Sequence, residues 1–206
     1  MKRNLIKETI KKRFVAKIES WDVKDIYAIS FFVYDNEDHP CKPTVSLSYN
    51  TEDYVKKNLN YTDELEARWN YAFWPQNVVE QFGYDKESSE LIREWINESK
   101  LPYQKNYNPY DTTKEERDLL QEITNEFIKI LIEVVKEIHN DNILIKKFKG
   151  SIPILIHELE YYDIIEKQNV EANGPELVKD FSNYINGLYQ QSYDFLEKYQ
   201  NYNTKE

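Results

Sequence analysis

Apolar residues near the start of the chain return every three or four positions: Leu5 or Ile6, then Ile10, Phe14, Ile18 and Trp21. That is the period of one helix face. Lys7, Lys11, Lys12, Arg13 and Lys17 fill the positions between, so a basic amphipathic helix is predicted over about 4–20. The period then changes. Residues 25–34 hold Ile26, Tyr27, Ile29, Phe31, Phe32, Val33 and Tyr34, a nearly continuous β-branched and aromatic run that predicts a strand buried on both faces. Residues 35–43 are turn chemistry throughout. Residues 44–49 alternate as a second strand, and together the two predict an antiparallel hairpin with an exposed acidic tip.

From Thr62 the pattern turns helical, with Leu65, Trp69, Ala72 and Phe73 on one face before Pro75 ends it. A further helix starts at about Glu87, with Leu91, Ile92, Trp95 and Ile96 inward, and an aperiodic Tyr/Asn/Pro loop follows over 102–111. Thr112-x-x-Glu115 or Thr113-x-x-Glu116 supplies a capping box, where the Thr hydroxyl and Glu carboxylate satisfy otherwise orphaned N–H groups. Leu120, Ile123, Phe127, Ile130, Val134 and Ile138 then repeat as one stripe, predicting a long helix over 114–140. Residues 151–158 read as a strand, 161–170 as a helix, and Asn173-Gly174-Pro175 as a stop before a C-terminal helix over about 175–199, with Phe181, Ile185 and Phe195 inward. No repeat or Gly/Ser linker divides the chain. The prediction is a single α+β domain over 1–206, a small and mostly antiparallel sheet packed with several amphipathic helices.

Charge narrows the function classes. Twenty-seven Lys and Arg stand against 37 Asp and Glu, a net charge of −10, and only five of the basic residues are Arg. A chain that must neutralise phosphates is not built this way, so nucleic acid is not an expected partner. The four glycines, Gly83, Gly150, Gly174 and Gly187, form no phosphate-cradling motif. Seven basic and two acidic residues in positions 1–20 put positive charge on the first helix, which is expected to pair with the acidic remainder rather than with a membrane. No apolar run is long enough to cross a bilayer and no secretory signal opens the chain, so a cytoplasmic location is expected.

Chemistry-bearing residues are sparse. Cys41 lies two positions from His39 with no third group to support a nucleophile. The segment around His157, Glu158 and Glu160 has the only catalytic-looking density. In a continuing strand Glu158 and Glu160 share a face, as an acid/base or metal-holding pair would, while His157 points the other way. Strand-end acids placed before a helix also favour its dipole without any chemistry. No metal set and no cofactor is predicted. The other dense feature is aromatic: on a continuing helix Trp69 and Phe73 share one side, Tyr71 and Trp74 another. One pair in the core leaves the second free to anchor a partner.

The segments IYAISFFVYD, TVSLSYNTED, EARWNYAFWPQN and PILIHELEYYD resemble a family of small bacterial proteins of unknown function, some of them immunity proteins encoded beside polymorphic toxins. The resemblance runs from about 26 to 163 and is carried by Tyr27, Tyr34, Tyr49, Asn50, Trp69, Trp74, His157, Glu158 and Tyr161. It implies a protein that binds a basic toxin domain and no assigned catalytic chemistry. The expected reading is therefore a non-enzymatic protein-binding domain, with Tyr71 and Trp74 and the hairpin acids Asp35, Glu37 and Asp38 as its contact surface. The alternatives are a metal-assisted hydrolase using Glu158 and Glu160, and a structural protein that self-associates through its long helix.

Overall fold

A computed structural model describes residues 1–159, 161, 163–188 and 190. The elements, in chain order, are α1 (Lys2–Ser20), β1 (Ile26–Asp35), β2 (Pro43–Thr51), α2 (Glu52–Asn58), α3 (Glu64–Trp69), β3 (Glu80–Phe82), α4 (Lys86–Glu98), α5 (Lys114–Asn140), α6 (Ile143–Phe148), β4 (Ile154–His157) and α7 (Asp163–Asn173). Short 3₁₀ turns occupy Asn36–Asp38 and Tyr71–Phe73, and residues 179–188 are helical. The outer part of the expected 175–199 helix, including Phe195, lies outside the described residues.

The four strands form one sheet in the order β3-β2-β1-β4. β1 and β2 pair antiparallel from Ile26–Thr51 to Asp35–Pro43, and β3 adds antiparallel to β2. β4 adds parallel to β1, with Ile29 opposite Ile154 and Phe32 opposite His157. The sheet is thus mixed, mostly antiparallel, inside an α+β domain as expected.

Strand alternation sends successive side chains to opposite faces. Ile29, Phe31, Val45, Leu47, Ile154 and Ile156 face one layer, where Ile6, Ile10, Phe14 and Ile18 of α1 and the stripe of α5 meet them at 0–4% exposure. The capping box forms at Thr113 and Glu116, as its spacing predicts. The basic positions of α1 turn away from this core. Arg3 makes a two-pronged pair with Glu133 at 2.8 and 2.9 Å, Lys7 reaches Glu137 at 2.8 Å, and Lys11 bridges Glu137 and Asp141 at 2.9 and 2.8 Å. That ladder joins α1 to α5, and no helix among the described residues is long and apolar enough to cross a membrane.

The other face of the sheet carries Ala28, Ser30, Ser46, Ser48, Asn50 and His157. A second layer covers these small polar groups, so β1 is buried on both faces as its nearly continuous run predicts. Trp69, Tyr71, Trp74, Phe181, Tyr184 and Ile185 form that layer. The expected continuous helix from Thr62 to Phe73 breaks at Asn70, whose side chain leaves the helix to accept from the Ala72 N–H at 3.0 Å. The break turns Trp69, Tyr71 and Trp74 to the same layer and leaves Ala72 and Leu65 exposed.

Candidate functional site

Among the described residues β1 and β4 are the one parallel pair of the sheet, and their carboxyl ends open beside α5 and α7. Crevices at the carboxyl ends of parallel strands are common ligand positions. A cleft of about 840 Å³ lies there, lined by Val33 and Asp35 of β1, Asp38 of the turn, Thr124, Ile128 and Ile132 of α5, and Glu158, Leu159, Ile164 and Gln168 around β4 and α7.

Two carboxylates reach this cleft from neighbouring strands. Asp35 follows Phe31 and Val33 on the α5 side of β1. Because His157 is level with Phe32, the next residue, Glu158, emerges level with Val33 on that same side. Strand spacing of ~4.8 Å and two rises of ~3.3 Å place the two backbones roughly 8 Å apart. The Thr124 hydroxyl donates to Asp35 Oδ1 at 3.0 Å, and Gln168 Nε2 donates to Glu158 Oε1 at 3.1 Å. Among the described residues no Lys, Arg or His forms an ion pair with either carboxylate.

Both acids titrate high. Burial, only partly offset by the Thr124 hydroxyl and reinforced by the charges of Glu158 and Asp38, pushes Asp35 from its ordinary 3.8 up to about 6. Burial also raises Glu158, against the Gln168 hydrogen bond. Raised carboxyl pKa values of this origin cluster at functional sites.

The helix α7 gives the cleft a rigid wall. Asn169 Oδ1 accepts from the Ile156 N–H at 2.7 Å and its Nδ2 donates to Ile156 O at 3.0 Å. One helical turn later, Asn173 repeats this with Ile154 at 2.8 and 2.9 Å. Two side-chain amides thus satisfy the open edge of β4 where another strand would otherwise pair. Residues at i and i+4 share one helix face, which is why the pair fits a strand edge.

Some expected site residues fall elsewhere. Tyr71 and Trp74 are 7% and 2% exposed, so they are core residues and not the surface anchors expected of them. Trp74 Nε1 donates to Arg68 O at 3.0 Å, and Tyr71 stacks on Phe32 with ring centroids 4.4 Å apart. Glu37 and Asp38 are exposed at the hairpin tip, Glu37 paired with Lys42 and Asp38 accepting the Tyr34 hydroxyl at 2.7 Å. Asp35 belongs with them in sequence but is half-buried, its side chain turned to α5.

His157 is fully buried on the opposite face from Glu158, with Nδ1 and Ser30 Oγ 2.8 Å apart. Burial lowers it to about 3, so it stays neutral and takes no part in the cleft. Glu160 lies outside the described residues. Among the described residues no group of three or more His, Cys, Asp and Glu is arranged to hold a metal ion. Cys41 is buried and its thiol pKa is raised by that burial, which keeps it protonated. His139, in the last turn of α5, has its pKa lowered by burial, and its Nε2 lies 3.0 Å from Asn173 Oδ1.

Sequence reasoning named Asp35 and Glu158 but for separate roles, because a parallel pairing between strands as far apart in the chain as Phe32 and His157 has no local signal. Gln168 and Thr124 were missed: a single amide or hydroxyl on a helix face looks like any solvated residue.

Residues 6–152 match the family described as Domain of unknown function (DUF4303). The chain belongs to the DUF4303 family. No curated protein and no solved structure matches it. The DUF4303 match ends just before β4, so Asp35 and the α5 wall of the cleft fall inside it while Glu158 and α7 fall outside.

Proposed function

We propose that this chain is a non-enzymatic protein-binding domain that engages a basic partner through the acidic end of its sheet. One observation carries the reading: Asp35 and Glu158 lose hydration in a cleft where no cation of the described chain compensates them. An unpaired, desolvated carboxylate is costly, and a cation arriving from outside offsets that cost. Asp38 extends the negative charge to the exposed rim, beside Glu37, which is paired with Lys42. Charge of this kind speeds encounter with a basic surface, while contacts in the cleft prolong residence.

The finer reading is a toxin-neutralising immunity protein of the bacterial cytoplasm. It draws on the resemblance of residues 26–163 to immunity proteins beside polymorphic toxins, and on an acidic surface suited to a toxin that handles nucleic acid. The test is capture from native lysate by the immobilised chain at low and moderate salt, with a Glu37→Gln/Asp38→Asn variant alongside. One basic protein retained in near-equal amount, and lost from the variant as salt rises, is the expected result. Retention of an acidic partner, or of the same partner equally by both chains, contradicts it.

A second reading, metal-assisted hydrolysis using Glu158 and Glu160, draws on the burial that raises Glu158 and takes its neighbour Asp35 to about 6, the direction that suits a group exchanging protons. A thermal shift with Mg²⁺, Mn²⁺ or Zn²⁺ that Glu158→Gln abolishes would favour it.

A further inference from the structure

We infer that the cleft receives a basic side chain of the partner, its charged head between Asp35 and Glu158 and its aliphatic stem along Ile128, Ile132 and Ile164. This rests on the protein-binding reading and specifies what that partner presents.

The argument starts from shape. About 840 Å³ is ample for an extended side chain and part of its backbone, and lies in the range of ordinary ligand sites. The inner wall is apolar: Ile128 and Ile132 of α5 are 6% and 5% exposed beneath it. At the mouth, Leu159 and Ile164 stand 67% and 52% exposed on either side of the start of α7. Lysine and arginine bury their methylene stems on such surfaces while their heads seek opposite charge.

Charge then selects the head. Among the described residues a single side-chain donor reaches each carboxylate, Thr124 for Asp35 and Gln168 for Glu158, so each keeps acceptor capacity towards the cleft. The other charged groups facing it are Asp38, Glu171, Lys129 and Lys167. Lys129 is held by Glu126 at 2.5 Å and Glu171 by Lys136 at 2.7 Å, and Lys167 contributes to the titration of neither Asp35 nor Glu158. Carboxylates on adjacent strands, diagonal to one another, present oxygens to one multi-donor head, which ammonium and guanidinium groups both supply.

The chain itself, ¹⁵N-labelled, is titrated with n-butylammonium, n-butylguanidinium and the uncharged n-butanol. The expected result is saturable shifts of the Asp35, Thr124, Glu158 and Gln168 amides by one or both cations, with Kd on the order of millimolar for so few atoms. Asp35→Asn and Glu158→Gln, which preserve side-chain shape, should each weaken this about tenfold, the loss of one charge-assisted contact. Butanol binding as well as the cations would reduce the site to an apolar hollow and overturn the inference.

A second arm compares acetyl-Ala-Lys-Ala-amide with free cadaverine. Equal or tighter binding of the peptide supports a protein source. Cadaverine tighter by more than about tenfold would assign the cleft to small amines and overturn the partner assignment. Capture of a basic partner with no cation entering the cleft would sink this inference alone. Cations in the cleft with no salt-sensitive basic partner would sink the protein-binding reading instead.

Discussion

Asp35 and His157 stand on neighbouring strands, face opposite layers, and respond to acid in opposite senses. Asp35 titrates higher folded than unfolded, so its contribution to stability is present below about 3.8 and lost as pH rises through about 6. Glu158 shifts in the same direction. His157 titrates lower when folded, so its contribution is present above 6.5 and lost as pH falls towards about 3. Asp35→Asn is therefore expected to raise stability at pH 7 by about 1–2 kcal/mol, the scale of a two-unit shift after discounting for partial exposure. It should also steepen the loss of stability between pH 6.5 and 5, because the histidine penalty remains and the aspartate gain is gone. Urea denaturation across that range checks both; a variant less stable at pH 7 than the parent would show that Asp35 is a structural acid. Trp74→Ala is the opposite kind of change. With 2% exposure and its indole N–H bonded to Arg68 O, truncation should cost about 3–5 kcal/mol and lower Tm sharply. Sequence alone leaves Trp74 open between core and surface, because the helical period does not continue across Asn70, where a side chain takes over the backbone's hydrogen bond.

At the scale of elements, local signals and long-range ones separate cleanly. The capping box and apolar stripe of α5, the β1–β2 hairpin and the amphipathic α1 were all legible, since each is decided by residues a few positions apart. The parallel seat of β4 was not, nor were α2, β3 and α6, which are short and held by their neighbours. The cleft inherits that limit: it exists because β4 pairs with β1 and because Asn169 and Asn173 hold α7 along the strand edge. Asn169→Ala leaves the Ile156 N–H buried without a partner, at about 1–3 kcal/mol, while the Ile156 C=O keeps Gln168 Nε2 as a donor at 3.3 Å. The expected signs are a clear loss in denaturant midpoint and faster hydrogen exchange at Ile156; unchanged exchange there would mean the edge is protected by other means. The α1–α5 ion-pair ladder should matter less. Its members are partly exposed, so Lys7→Ala is expected to cost under about 1 kcal/mol. A larger loss in a melting experiment would overturn the view that the apolar stripe of α1 holds that interface.

Over the whole molecule, charge is sorted by task. Positive charge on α1 is spent on α5, α4 and the β3 region, through pairs such as Lys2–Glu94 and Arg13–Glu80. Among the described residues Asp35, Asp38 and Glu158, at the other end of the sheet, form no such pair, and theirs is the charge the proposed binding draws on. Natural sites commonly give up stability for function, and a stabilising substitution that abolishes binding is the signature of that exchange. The most direct measurement is therefore a paired one on Asp35→Asn/Glu158→Gln: its midpoint in urea at pH 7, and its capture of the basic partner beside the parent chain. A variant that is at least as stable and no longer retains the partner is the predicted result. Undiminished capture by a stable variant would contradict a role for the cleft in binding.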